Sequence, residues 1–244
     1  MGQGILLSGG ENIDFMIHGV FSYKFFGQEV WITTSHICLL IVVLVLLLFF
    51  IIGGSVFRKA KTIPTGFQNV VELVVELLDG IVGSTMGEKG KGFRNYVGVI
   101  FIFILFSNIS GLLGLRPPTA DYGVTLPLGL LTFTLVQLNK FRFNSVWSIW
   151  KDTCSPLPPW LPIWAPINLI GEVAVPVSLS LRLFANVLSG TVMMALVYGL
   201  LQMFALVWPA ALHVYFDLFS GAIQTYVFCM LTMTYISNAM GGEE

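Results

Sequence analysis

Apolar residues along this chain run on rather than alternate with polar ones. Between Ile37 and Phe57 no charged residue occurs, and about 20 apolar positions suffice for a helix to cross a bilayer. Arg58, Lys59 and Lys61 stop the run. The next stretch has a different pattern. Val70, Leu73, Val74, Leu77, Leu78 and Ile81 fall at helical spacing, with Glu72, Glu76 and Asp79 on the other side. This predicts an amphipathic helix over 67–82, lying at the membrane surface or against a partner rather than crossing. A second span is predicted over 96–115, after Lys89, Lys91 and Arg94 and before Arg116-Pro117-Pro118. A third, over 124–138, follows the loop Pro117–Gly123 and precedes Lys140, Arg142 and Lys151.

The C-terminal part is longer than crossing requires. Pro156, Pro158, Pro159, Pro162 and Pro166 give an irregular start, and from Ile167 to Val207 only Pro176 is a strong break. A continuous helix of about 40 residues is about 60 Å long, twice the roughly 30 Å hydrocarbon core. Such a helix must tilt steeply, bend or divide. Pro209 suits the first position of a further helix, which runs to about Ser237. Two long helices, 160–208 and 209–238, therefore predict an oblique hairpin. The expected fold class is an all-α polytopic membrane protein in a single domain over 1–244. It has about five membrane-crossing helices, the last two long and steeply tilted as a hairpin, plus one amphipathic surface helix. Residues 1–36 form an N-terminal segment outside the membrane.

Composition agrees. Charged residues make up 10 % of the chain, against about 25 % in soluble domains, and mean hydropathy is +0.85. The unbroken apolar runs favour helices over a barrel, whose strands alternate. A net charge of −1 gives no sign of a nucleic-acid partner. Cys38, Cys154 and Cys229 show neither metal-ligand spacing nor even pairing, so they are expected to be inert. The first thirty residues lack the basic start and apolar core of a secretory signal, and contain Glu11 and Asp14. Phosphate loops, HExxH and Ser-His-Asp candidates are absent. No catalytic residue, metal or cofactor is expected, and any catalytic domain the protein serves is expected on another chain. With the N-terminus outside and five crossings, Arg58, Lys59, Lys61, Lys89, Lys91, Arg94, Lys140, Arg142 and Lys151 all fall in the cytoplasm. Lys24 and Arg116 fall outside, and Arg182 lies within. That asymmetry predicts N-out, C-in.

Arg182 is the exception that points to function. From Leu183 no formal charge follows until Asp217, and a charge among membrane-bound residues is rarely tolerated without a role. Ser178, Arg182, Asn186 and Ser189 follow in steps of four, four and three, which makes one polar stripe. Glu172 lies ten residues earlier, about 15 Å along a helix and on roughly the same side. His213, Asp217, Ser220 and Gln224 repeat the stripe on the last helix in steps of four, three and four. Antiparallel packing would bring the stripes together along a water-accessible path. Each residue also has a plainer reading. Arg182 would pair with Glu172 or Asp217. Asn186 and Gln224 would be interhelical hydrogen-bond partners, and Ser178, Ser189 and Ser220 small packing residues. His213 is expected at the outer interface rather than in a relay, and Asp121 in a loop or entrance. Asn108 is either a third wall of the cavity or a helix–helix hydrogen bond.

An arginine stays cationic where lysine would lose its proton. It favours the ionised form of an approaching carboxylate, and it blocks a cation from hopping directly between wet cavities on either side. At an effective dielectric of about 20, a pair about 4 Å apart is worth about 4 kcal/mol, enough to shift a carboxylate by several pKa units at about 1.4 kcal/mol each.

These residues resemble the family of subunit a of the F-type ATP synthase, bacterial type. Pro176-Val-Ser-Leu-Ser-Leu-Arg182-Leu-Phe-Ala-Asn186 is similar to the family's arginine-helix signature. Ile223-Gln224-Thr-Tyr-Val-Phe-Cys-Met-Leu-Thr-Met-Thr-Tyr235-Ile-Ser is similar to its last-helix motif. Weaker matches are Ser107-Asn108 and Thr119-Ala-Asp121-Tyr-Gly-Val-Thr125. The resemblance covers about Ile37 to the end. It implies a stator ion channel in the bacterial plasma membrane. The implied partners are a ring of c subunits, the peripheral stalk of subunit b, the rest of the synthase and the lipid bilayer. Two offset half-channels would meet the ring near Arg182, where ring carboxylates load and unload ions. Gln224 would sit beside Arg182. Asp217 and Asn108 would belong to the outer half-channel, and Glu172 to the cytoplasmic one.

The chain departs from the family's best-known proton relay. Nine residues after the arginine, where many relatives carry glutamate or histidine, stands Thr191, which cannot titrate. Where some carry histidine or glutamate on the last helix stands Asp217. Protons are the expected ion; sodium is the alternative, since sodium-driven members exist and the ring largely sets the choice. The competing functions are a secondary transporter with an anion at Arg182, for which no internal repeat is seen, and a non-conducting scaffold.

Overall fold

The computed structural model describes residues 19–25, 28–57, 66–113, 115–145, 147–150, 165–201 and 208–241. Segment 1–18, the basic stop Arg58, Lys59 and Lys61, Lys151, Cys154 and the prolines from Pro156 to Pro162 lie outside the described residues, as does the predicted helix start at 160.

Helices build nearly all of the described chain, and five of them are long and apolar enough to cross a membrane. A short antiparallel hairpin precedes them. Its strands are β1 (Gly19–Phe25) and β2 (Gln28–Thr33), with Lys24 opposite Glu29 and Tyr23 opposite Val30. The hairpin falls within the N-terminal segment expected outside the membrane, for which the sequence predicts no element. Aromatic and β-branched residues over two short runs are a strand signal, but a hairpin here leaves the all-α fold class of the membrane part unchanged.

The first span is α1 (Thr34–Phe57). It exposes large apolar residues around most of its surface, among them Leu40, Leu44, Leu47, Leu48 and Ile51, as lipid contact requires. Helix α2 (Phe67–Met86) is the amphipathic one. Its core face is rotated from the stripe that periodicity marks. Val71, Leu78, Val82 and Met86 are buried, whereas Val70, Leu73 and Leu77 are exposed. The physical reason is that lipid or another subunit is as apolar as the core, so an apolar stripe need not face inward. Of its acids, Asp79 pairs with Arg94 at 2.7 Å and Glu72 accepts from Gln68 Nε2 at 2.9 Å.

Helix α3 (Arg94–Ile109) continues as a 3-10 turn over Ser110–Leu113. Another short turn, Pro118–Ala120, leads into α4 (Tyr122–Phe143), whose first turn is capped by Asp121 accepting from Gly123 N at 2.9 Å. Helix α5 runs unbroken from Ala165 to Leu201 with Pro176 inside it. At about 1.5 Å per residue it is about 55 Å long, so it crosses obliquely or bends. The last helical stretch is in three parts: α6 (Trp208–His213), a π-helical segment Val214–Ser220, and α7 (Gly221–Ala239).

The core forms where α2, α3, α5 and α7 meet. Val97, Ile100 and Ile104 of α3 pack with Leu179 and Leu183 of α5 and with Phe228, Met233 and Ile236 of α7. Helices α4 and α5 approach closely at Gly129, where an added Cβ would lie 2.6 Å from the Pro176 carbonyl oxygen. Asn144 Nδ2 donates to the Ala239 carbonyl at 2.8 Å, so the C-terminal ends of α4 and α7 share one side of the bundle.

Candidate functional site: a polar pocket and an outward-facing arginine

Arg182 lies near the middle of the 32-residue apolar stretch Pro166–Val197. Its helix buries the neighbouring Leu179 and Leu183 in the core, and the alternation of faces leaves Arg182 exposed. Ser178 and Ser189 of the same stripe are exposed as well. Neither acid that the plainer reading offered meets the arginine. Glu172 is bound by two groups of α4: Gln137 Nε2 donates to Oε2 at 3.0 Å, and Lys140 Nζ forms an ion pair with Oε1. Asp217 Oδ2 lies 2.8 Å from His213 Nδ1. Among the described residues, no ion pair reaches Arg182.

The two predicted stripes touch at one point. Ser220 Oγ donates to Asn186 Oδ1 at 3.1 Å, which links α5 to the π-helical segment. Ser189 and Thr191 turn back on their own helix, donating to the carbonyls of Asn186 at 2.9 Å and Leu188 at 2.8 Å. Thr191 thus joins no relay with Asp217 in this arrangement. Beside the Asn186–Ser220 contact lies a pocket walled by Asn108, Asn186, Asp217, Pro117, Gly190 and Phe216. Asp217 enters it from the π-helical segment, which widens the helix by one residue per turn and occurs frequently at functional sites. Its carboxylate rests against Gly111: a Cβ there would lie 3.1 Å from Asp217 Cγ.

Asn108 lines the pocket and also bonds between helices. It is 3 % exposed with its amide fully engaged. Its Nδ2 donates to the Gly221 carbonyl at 3.1 Å and to Thr225 Oγ1 at 3.4 Å, while its Oδ1 accepts from Thr119 Oγ1 at 2.8 Å. Gly221 permits this: an added Cβ would lie 2.9 Å from the Asn108 Cβ. Gln224, one turn further along α7, is 9 % exposed, and among the described residues its Nε2 has no partner. His213 bonds to Asp217, and Asp121 serves as the α4 cap.

Sequence reasoning missed Gln137 and Lys140 as partners of Glu172, and Thr119 and Thr225 as partners of Asn108. The available signal was that Gln137 and Lys140 are three apart on one face at the end of an apolar span.

Comparison with known proteins gives a consistent result. The family model of the ATP synthase A chain matches residues 36–237. The sodium-ion-specific ATP synthase subunit a of Propionigenium modestum is 35 % identical over 203 residues, covering 77 % of this chain and 68 % of that one. ATP synthase subunit a of a Sulfurihydrogenibium species is 35 % identical over 188 residues, covering 77 % and 88 %. That of Moorella thermoacetica is 36 % identical over 187 residues, covering 76 % and 82 %. This multi-pass membrane protein belongs to the ATP synthase A chain family, the ion-translocating membrane subunit of the F-type ATP synthase.

Proposed function

We propose that this chain provides two offset half-channels that load and unload protons on the carboxylates of a c-subunit ring at Arg182. One observation carries the reading: Arg182 faces out of the bundle at mid-span, while Glu172 and Asp217 are each bound elsewhere. An exposed cation in an apolar belt is costly unless something outside the chain neutralises it, and a rotor carboxylate does so. The attraction is strong enough to favour the ionised carboxylate and weak enough for a moving partner to leave. A scaffold role, with the arginine neutralised internally, lacks that support.

The pocket at Asn108, Asn186 and Asp217 is the outer half-channel in this reading. Pro117, from the loop expected outside, forms one of its walls. An ion from outside reaches Asp217 and passes to a ring carboxylate near Asn186 and Gln224. Gln224 is placed beside Arg182 by the family resemblance alone: its Nε2 is buried in the bundle, without an acceptor among the described residues. After nearly a full turn the carboxylate gives up its ion on the other side of Arg182, towards Glu172 and the cytoplasm. Ser178, Ser189 and Ser220 line the path, while Thr191 takes no titrating part. The N-terminus is outside and the C-terminus in the cytoplasm of a bacterial plasma membrane, and subunit b of the peripheral stalk is a further partner.

Inverted membrane vesicles holding the complete synthase test the reading. Arg182→Ala is expected to abolish ATP-driven ion pumping while ATP hydrolysis persists; pumping at the wild-type rate rejects it. A second reading, sodium transport, is favoured by the sodium-ion specificity of the Propionigenium modestum relative. Stimulation of ATP hydrolysis by sodium at fixed pH would replace protons with sodium in the scheme.

A further inference from the structure

The ion path passes Glu172 but gives no role to the two α4 groups bound to it. Gln137 and Lys140 stand one turn apart on α4 and both reach the Glu172 carboxylate, one to each oxygen. The Lys140 side chain is 15 % exposed and that of Glu172 32 %. The site is therefore half-shielded, and charges there act at reduced screening. Among the described residues no other charged group pairs with either. The close approach of Gly129 to Pro176 holds α4 and α5 in the register that makes the contact.

We propose that Lys140 and Gln137 are positioning residues of the cytoplasmic half-channel, holding Glu172 in a charge-balanced clasp that keeps the mouth from trapping the ion it releases. The proposal rests on the assignment of Glu172 to that half-channel. A lone carboxylate at a narrow mouth concentrates cations and slows their departure, and a lone ammonium repels them. A paired site does neither, which suits a channel that must accept and release the same ion. Gln137 fixes the second oxygen, so the carboxylate cannot swing away to bind the ion itself.

The test uses the whole synthase in inverted vesicles, whose bath is the cytoplasmic side. ATP-driven pumping is measured against bath concentration of the coupling ion, per assembled complex. Lys140→Gln is expected to lower the half-saturating concentration about three- to tenfold and to slow ATP synthesis, in which the ion must leave by this mouth. Glu172→Gln should raise it by a similar factor. The double variant should return towards the wild-type value, and Lys140→Arg should retain it. Shifts of the same sign in the two single variants, a double variant further from wild type than either single, or unchanged half-saturation in all three overturns the clasp. If Lys140→Gln does not assemble, the rise in Glu172→Gln and its reversal in the double variant decide the question. Arg182→Ala separates the two levels. If it still pumps, the ion path itself fails. If it is inactive while the clasp variants keep wild-type half-saturation, only the clasp fails.

Discussion

Two regions of this bundle treat polar groups in opposite ways. On the outer face of α5, Arg182 has no ion-pair partner among the described residues, and both it and Ser178 are exposed. Where α3, the turn Pro118–Ala120 and α7 meet, Asn108 is buried with donors and acceptor all engaged. Both are polar side chains in an apolar setting, and a polar group left unsatisfied there is destabilising. The Asn108 junction meets that requirement within the chain and so defines architecture. The Arg182 face leaves it unmet among the described residues, which in the proposed reading leaves the arginine to a ring carboxylate. Asp217 stands between the two cases: it lines the pocket, yet it is held by His213 and seated against Gly111.

The comparison is sharpened first at Arg182, where the effect should be largest. Arg182→Lys is expected to fail nearly as badly as Arg182→Ala in ATP-driven pumping, because lysine lacks the planar fork and gives up its proton more readily. Loss of about 4 kcal/mol of pairing corresponds to about a thousandfold in rate. Wild-type pumping by the lysine variant would reduce the arginine to a generic positive charge. Next comes Asp217→Asn, which keeps the size but cannot carry a proton. Transport in both directions is expected to slow roughly ten- to a hundredfold, measured in vesicles by pumping and by synthesis. Equal rates in both directions at the wild-type level would remove Asp217 from the path.

Asn108→Ala should act differently. It deletes the donors to Gly221 and Thr225 and leaves Thr119 Oγ1 without its acceptor. Interhelical hydrogen bonds in membranes are worth about 0.6 kcal/mol on average, and orphaned buried partners add to this. A stability loss of about 1–3 kcal/mol is expected, read as a lower unfolding temperature of the complex in lipid. Transport per intact complex should fall less than in Asp217→Asn. If Asn108→Ala stopped transport with stability unchanged, the division between architectural and partner-facing polar groups would break.

Much of this was legible because charge is scarce. Runs without charge define the spans, and Arg182 is conspicuous as a charge inside one. The four-three spacings placed Asn186 and Ser220 on facing stripes before any contact was known, and the two do bond. What stayed hidden depends on angles between helices. Lys140 and Glu172 are 32 residues apart, and only the approach of α4 to α5 at Gly129 brings them together. The rotation of α2 was hidden for another reason: where lipid and core are equally apolar, hydrophobic periodicity does not say which face is inside. The π-helical segment at Asp217 has no residue signature in the sequence, since only a register change of backbone bonds marks it.

The smallest expected effect is at Asp121, which the sequence left as a loop or entrance residue. The carboxylate accepts from Gly123 N at 2.9 Å and so satisfies one of the free amides at the start of α4. Asp121→Ala should cost about 1 kcal/mol of stability, a shift of a few degrees at most in the unfolding of the complex in lipid. Asp121→Asn keeps an accepting oxygen at the same position and removes the charge. If Asp121 is only a cap, the asparagine variant should match wild type in both stability and pumping. If its charge also draws ions to the outer mouth, stability should stay while pumping falls, and the fall should deepen at low ionic strength, where an exposed charge acts over a longer range. That result would move Asp121 from the satisfied class to the partner-facing one, and would extend the outer half-channel from the pocket to the turn before α4.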